Sequence, residues 1–140
     1  MHNLHGGCHC GSLSVEVGLS AEPVSYQPRA CDCTFCRQHG AAWLSDARGS
    51  LAIRVSDPGE LGIYKQGSEQ AELLLCRHCG GLMAVLLREE GRIFGAVNSR
   101  AFVASPVTFG AELCVSPQQL APADKVKRWR ELWFADVMLR

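Results

Sequence analysis

Three cysteines fall within six residues at Cys31, Cys33 and Cys36, in the run CDCTFC. Zinc held by protein takes four donors in a tetrahedron, so three sulfurs from one loop leave a corner of a bound ion to be filled. Two further groups flank this loop. GGCHCG sets Cys8 and Cys10 one residue apart among glycines, and CRHCGG sets Cys76 and Cys79 two residues apart. A tight turn points both sulfurs of such a pair to one side, and glycine permits the backbone twist required. The two pairs together make a closed site of four thiolates, stapling the first strand region to the middle of the chain across about 65 residues and supplying stability that a thin β domain lacks. The eighth cysteine, Cys114 in AELCVSP, has no partner and is expected as a small buried apolar residue.

An unclosed three-thiolate site suits a particular chemistry. Three thiolates on Zn²⁺ leave a net charge near −1, which makes a modest Lewis acid for water or carbonyl oxygen but a good host for a soft sulfur. A thiol bound there is held as thiolate near neutral pH, where a free thiol of pKa about 8.5 is mostly protonated. The expected substrate is a thiol or something carried on one. Against this stands a non-catalytic zinc-stabilised interaction module, in which Cys114 or a histidine closes the second site. His9, His78 and His39 lie beside cysteines, and His39, three residues after Cys36, is the best placed as fourth ligand or proton shuttle. Otherwise these histidines are surface residues near the ligands. Arg37 either meets an anionic substrate or covers the site, and Asp32 is expected to bond backbone N–H groups rather than metal.

The elements that position these residues are short. At 140 residues and 47 % apolar composition the chain is expected to form one domain, residues 1–140. Alternating apolar residues place strands at SLSVEV and LAIRV, and LMAVLL followed by RIFGAV reads as a hairpin turning at Gly91. Shorter strands are expected at residues 42–44, 61–64, 72–75 and 112–115. Frequent Gly and Pro between them favour a sandwich or barrel over alternating β and α elements. An α-helix is expected at about residues 124–138, capped by Asp124, with Val126, Trp129, Trp133 and Val137 forming an apolar stripe that packs on the core. Lys125, Lys127, Arg128 and Arg130 then form its wet face.

Fourteen basic residues balance fourteen acidic ones, which excludes a long-range field for nucleic acid or anionic lipid. The N-terminal residues show no signal-peptide pattern, and no run approaches the roughly 20 apolar residues of a membrane span. The expected address is the cytoplasm, where eight cysteines read as metal ligands rather than a disulfide framework. His2 and His5 are expected in a mobile terminus.

The order GGCHCGSLSVEV, CDCTFCRQHGA, YKQGSEQAELLLCRHCGG and AVNSRAF resembles the family of glutathione-dependent formaldehyde-activating enzymes and centromere protein V-like proteins. The resemblance implies a mainly β fold, a β-tent of small antiparallel sheets pinned by zinc. It implies two zinc ions per chain: a structural one on Cys8, Cys10, Cys76 and Cys79, and a second on Cys31, Cys33 and Cys36 where glutathione meets formaldehyde. The implied activity is that of a carbon–sulfur lyase, joining formaldehyde and glutathione as S-hydroxymethylglutathione, with the zinc-bound thiolate held near the electrophilic carbon.

Overall fold

The computed structural model describes residues 1–140 and is built mainly of β-strands. In chain order these are β1 (His2–Gly7), β2 (Leu13–Leu19), β3 (Arg29–Cys31), β4 (Trp43–Leu44), β5 (Ser50–Val55), β6 (Leu61–Tyr64), β7 (Glu72–Cys76), β8 (Leu82–Glu89), β9 (Arg92–Asn98), β10 (Leu113–Val115) and β11 (Asp136–Leu139). Two α-helices interrupt them, α1 (Thr34–His39) and α2 (Pro122–Leu132). One sheet has the order β1-β2-β5-β11 and the other β10-β3-β4-β9-β8-β7-β6. Pairing is antiparallel except at one edge of each sheet, where β10 lies parallel to β3 and β11 parallel to β5. No helix is long and apolar enough to cross a membrane.

The burial pattern follows from the strand sequences. Leu13, Val15 and Val17 are buried while Ser14 and Glu16 face outward, as period-two alternation requires. Together with Leu51 and Ile53 of β5 they pack on Leu74, Ala84, Leu86 and Val97 of the larger sheet, forming the core between the two sheets. The continuous apolar run of β8 has a different cause. Its opposite face, with Leu82, Val85 and Leu87, is also buried, against Trp133, Trp43 and the Cys33–Cys36 loop. The middle of the larger sheet is therefore covered on both sides, and a strand covered on both sides needs no polar residues. A bulge makes this work: Leu74 pairs with Ala84 but Leu75 with Leu82, so Met83 is extra and joins Ala84 on the inter-sheet face. The β8–β9 hairpin turns through Glu90 and Gly91, with φ of 52° and 76°, the pair of left-handed residues that a two-residue turn demands.

The C-terminal region departs from expectation in two ways. The helix spans Pro122–Leu132 rather than residues 124–138; Pro122 occupies its first turn, and Asp124 makes no side-chain cap. Residues after Leu132 extend instead. Phe134, fully buried, exchanges backbone hydrogen bonds of 2.8 and 3.0 Å with Gly95, and Val137 and Leu139 turn inward from β11 while Asp136 and Met138 face out. A Cβ at Gly95 would stand 2.8 Å from Leu86 Cδ2 and 3.2 Å from Val85 O, so any side chain there would force the packed neighbours to shift. The expected mobile terminus is likewise a strand: residues 2–7 pair in register with residues 14–19 of β2.

One buried polar group ties the sheets' connections together. The Asp46 carboxylate accepts hydrogen bonds from Ser20 N at 2.8 Å, Ser20 Oγ at 2.6 Å, Tyr26 Oη at 2.6 Å and Arg48 N at 2.9 Å. Burial pushes its pKa up, but the donors from Ser20, Tyr26 and Arg48 outweigh it and hold the group at about 2. A carboxylate depressed in the folded state contributes stability above its unfolded pKa that is lost as pH falls through the folded value. Urea denaturation of the wild type is thus expected to show a loss of stability between about pH 4 and pH 2. Asp46→Asn is expected to be less stable by about 1–3 kcal/mol at pH 7 and to lose that part of the acid dependence.

Candidate metal centres and the adjoining cavity

The turn after β1 and the turn after β7 bring four sulfurs together. Cys8, Cys10, Cys76 and Cys79 have all their Sγ atoms within 4.8 Å of one another. Cys8 Sγ lies 3.7 Å from Cys10 Sγ, and Cys10 Sγ 3.5 Å from Cys76 Sγ. A tetrahedron of sulfurs at a Zn–S distance of about 2.3 Å has edges of about 3.8 Å, whereas a disulfide would bring two sulfurs to about 2.05 Å. The donor set and its spacing thus fit zinc, and all eight cysteines are free thiols. Backbone N–H groups of Leu13 and Cys79 point at Cys8 and Cys76 Sγ, at 3.3 and 3.4 Å. Protonation is uneven across the cluster: hydrogen bonds from Ser12, then His78, bring Cys10 down to about 5, while burial pushes Cys76 up to about 11. Four sulfurs this close cannot all be ionised without a cation among them.

The second cluster is made by one loop. β3 ends at Cys31, Cys33 caps the N-terminus of α1, and Cys36 sits within that helix, which closes at Gly40 in the left-handed conformation. Cys31, Cys33 and Cys36 have their sulfurs within 4.8 Å of one another, and neither Cys114 nor any histidine belongs to the cluster. Cys33 Sγ accepts from Cys36 N at 3.3 Å and from Gln66 Nε2 at 3.8 Å. The hydrogen bond with Cys36 brings Cys31 down to about 6, and the same bond together with burial pushes Cys36 up. These three donors can also hold a metal ion, with one tetrahedral position unsupplied by the cluster.

That loop opens on a cavity of about 280 Å³, which also touches Arg29, Gln66, Gln118, Lys125, Arg128 and Trp129. The four-cysteine cluster takes no part in the lining of this cavity. Helix α2 closes one side, with Trp129 and Trp133 stacked 4.9 Å apart between ring centres. A chain of hydrogen bonds fixes that helix over the loop: Arg29 Nη2 donates to Ser45 Oγ at 2.5 Å, and Ser45 Oγ donates to Leu132 O at 2.8 Å. Burial, then the charge of Arg128, lowers the Arg29 pKa; a guanidinium stays protonated nonetheless.

Several residues singled out from sequence take other places. Asp32 accepts from side chains, Ser116 Oγ at 2.5 Å and Gln118 Nε2 at 3.0 Å, rather than from backbone N–H groups, and so ties the segment after β10 to the cysteine loop. Cys114 is exposed, because β10 is a three-residue edge strand with one side open. Arg37 and His39 are exposed and do not line the cavity; the His39 ring packs on Phe35, with Nδ1 2.9 Å from Phe35 O. Lys125 and Arg128, expected on a wet helix face, line the cavity instead, as does Trp129. Arg29 and Gln66 were not expected at all. Their only sequence signal was nearness to the cysteines, and to Gly67 in a turn.

Two sheets clamped by a four-cysteine cluster, with a three-cysteine cluster flooring a cavity, define a cysteine-rich β protein able to hold metal at two places. The chain belongs to the family of glutathione-dependent formaldehyde-activating enzymes, whose sequence profile matches residues 3–106. A crystal structure of a Rhodobacter sphaeroides protein is similar at 28% identity, covering 76% of this chain and 99% of that one with a TM-score of 0.53. Among curated proteins, none matches.

The two clusters are expected to respond differently to mutation. Metal binding to a structural cysteine site is worth about 10–16 kcal/mol in small peptides, comparable to the whole stability of a domain. Cys76→Ser is therefore expected to abolish the cooperative thermal transition. Cys33→Ser is expected to keep the far-ultraviolet circular dichroism of the wild type while losing one equivalent of metal, measured by elemental analysis of protein purified without added metal.

Proposed function

We propose that the chain, acting as one zinc-binding domain over residues 1–140, forms and breaks an adduct between a small aldehyde such as formaldehyde and the thiol of glutathione or a related molecule. Cys8, Cys10, Cys76 and Cys79 hold a structural zinc ion, and Cys31, Cys33 and Cys36 hold the functional one. The observation that carries this reading is that the three-sulfur cluster lines a cavity of ligand-pocket character that the four-sulfur cluster does not reach. Zinc bound there supplies a position for the substrate sulfur and keeps it as thiolate near neutral pH.

The protein's own groups do the rest. Gln66 donates to Cys33 and so moderates the charge of the thiolate floor. The Trp129 and Trp133 rings wall one side and limit water around the sulfur. In the forward direction a sulfur electron pair forms the C–S bond and the carbonyl π pair moves to oxygen. That oxygen takes up a proton, balancing the one lost when the thiol ionised, so the adduct forms with no redox change. Gln118, at the cavity, offers an N–H donor to an oxygen developing negative charge. A volume of about 280 Å³ lies at the small end of ligand pockets and suits a short peptide-sized thiol better than a protein segment.

The test is exchange NMR with zinc-loaded protein, glutathione and ¹³C-formaldehyde. Exchange between free formaldehyde and the S-hydroxymethyl adduct is expected to be faster than without protein by about 100-fold or more, and Cys33→Ser should return it to the background rate. Unchanged exchange with folded, fully zinc-loaded wild type would rule the activity out.

A further inference from the structure

The cavity beside the three-cysteine loop carries an unusual balance of charge. Arg29, Lys125 and Arg128 line it, and no aspartate or glutamate does. The ion pairs of the structure join His5 to Glu16, Arg88 to Glu72, Arg100 to Glu112 and Arg130 to Glu89, so none of the three cavity cations has a carboxylate partner. The contrast within α2 is informative. Arg130 leaves the cavity face and is neutralised by Glu89 at 2.8 Å, while Lys125 and Arg128 turn toward the cavity and are left unpaired. Asp32, the carboxylate nearest in sequence to the cysteines, is already engaged by Ser116 and Gln118 and does not line the space.

The thiolates do not use up this charge. Three of them around a dication sum to near −1, which offsets at most one of three cations. The remainder is held in a partly enclosed space, where an unpaired cation is costly and an incoming anion is favoured. Arginine forks match carboxylates in two-point contact, and a lysine adds a point charge. The position of two of these cations matters as well. Lys125 and Arg128 lie beyond residue 106, outside the span that the family profile matches, whereas the cysteines and Arg29 lie inside it.

We infer that Arg29, Lys125 and Arg128 form a carboxylate clamp that restricts the site to thiols bearing anionic groups, and that α2 thereby sets substrate choice on a metal loop common to the family. This rests on the reading of the three-cysteine cluster as a thiol site, and it deepens that reading. Thiols without a carboxylate, or with a compensating amine only, leave the three cations unmatched and are disfavoured.

Two probes separate the clamp from the thiol site. In the first, cobalt-substituted protein is titrated with 3-mercaptopropionate and with its methyl ester, which has the same thiol but no charge. The acid is expected to change the visible spectrum at a concentration about tenfold or more below the ester. The ratio should fall toward one in Lys125→Gln/Arg128→Gln, and in wild type at high salt. In the second, S-methylglutathione, which keeps both carboxylates and has no free thiol, is added to zinc-loaded protein while tryptophan fluorescence is followed. Its binding is expected to weaken about tenfold or more in the same double variant. Equal affinity for acid and ester in wild type, or a preference that survives the double substitution, would overturn the clamp while leaving the thiol site standing. A cobalt spectrum unmoved by any thiol, with S-methylglutathione still bound through Lys125 and Arg128, would do the reverse. The wild-type comparisons hold even if the double variant fails to fold.

Discussion

Close-packed thiolates repel, and the architecture of this chain depends on how that repulsion is relieved. Cys8 and Cys10 come from the corner between β1 and β2, Cys76 and Cys79 from the turn between β7 and β8. The first corner belongs to the four-stranded sheet and the second to the seven-stranded one. A cation shared among the four sulfurs would therefore fix one sheet to the other at the rim of the core between them. It would also fix the end of β7 beside the bulge at Met83, where the face of β8 that meets each layer is decided.

The second cluster depends on that arrangement at one remove. With one face of β8 and β9 committed to the inter-sheet core, the other is left to Val85, Leu87, Phe94 and Ala96, and the cysteine loop and α2 close over it. Arg29, Ser45 and the carbonyl of Leu132 then lock the end of α2 to β3. The helix consequently presents Lys125, Arg128 and Trp129 to the same space as the three sulfurs. Metal-binding groups come from a strand–helix junction, and two of the three cavity cations, Lys125 and Arg128, from an element beyond residues 3–106 that the family profile matches.

Much of this was legible in residue spacing. Cysteines one and two residues apart, beside glycine, announced both clusters: local turn geometry brings together the sulfurs of Cys31, Cys33 and Cys36 and of each flanking pair, and the tetrahedral count joins the two pairs across the sheets. Strands with clear alternation, such as residues 13–17 and 51–55, were legible for the same local reason. What failed was whatever depended on partners distant in sequence. HNLHGG has little intrinsic strand preference and becomes β1 only by pairing with β2. Trp133 and Val137 are four apart, a separation that serves a helical stripe and also the same face of an extended chain, and the bridge from Phe134 to Gly95 settles the choice. The side of α2 that faces the cavity could not be read from its own sequence either. Basic residues Lys125, Lys127, Arg128 and Arg130 are spread round it on either side of Val126 and Trp129, and only the docking through Ser45 shows which of its cations are enclosed.

The division of seven sulfurs between two ions, one saturated and one not, is reached most directly by zinc K-edge X-ray absorption on the zinc-loaded protein. Averaged over both ions, the account predicts about 3.5 sulfurs per zinc at about 2.3 Å in thiol-free buffer, rising to about 4 when a substrate thiol is added. Four sulfurs per zinc before any thiol is present, or a sulfur count that thiol leaves unchanged, would contradict it.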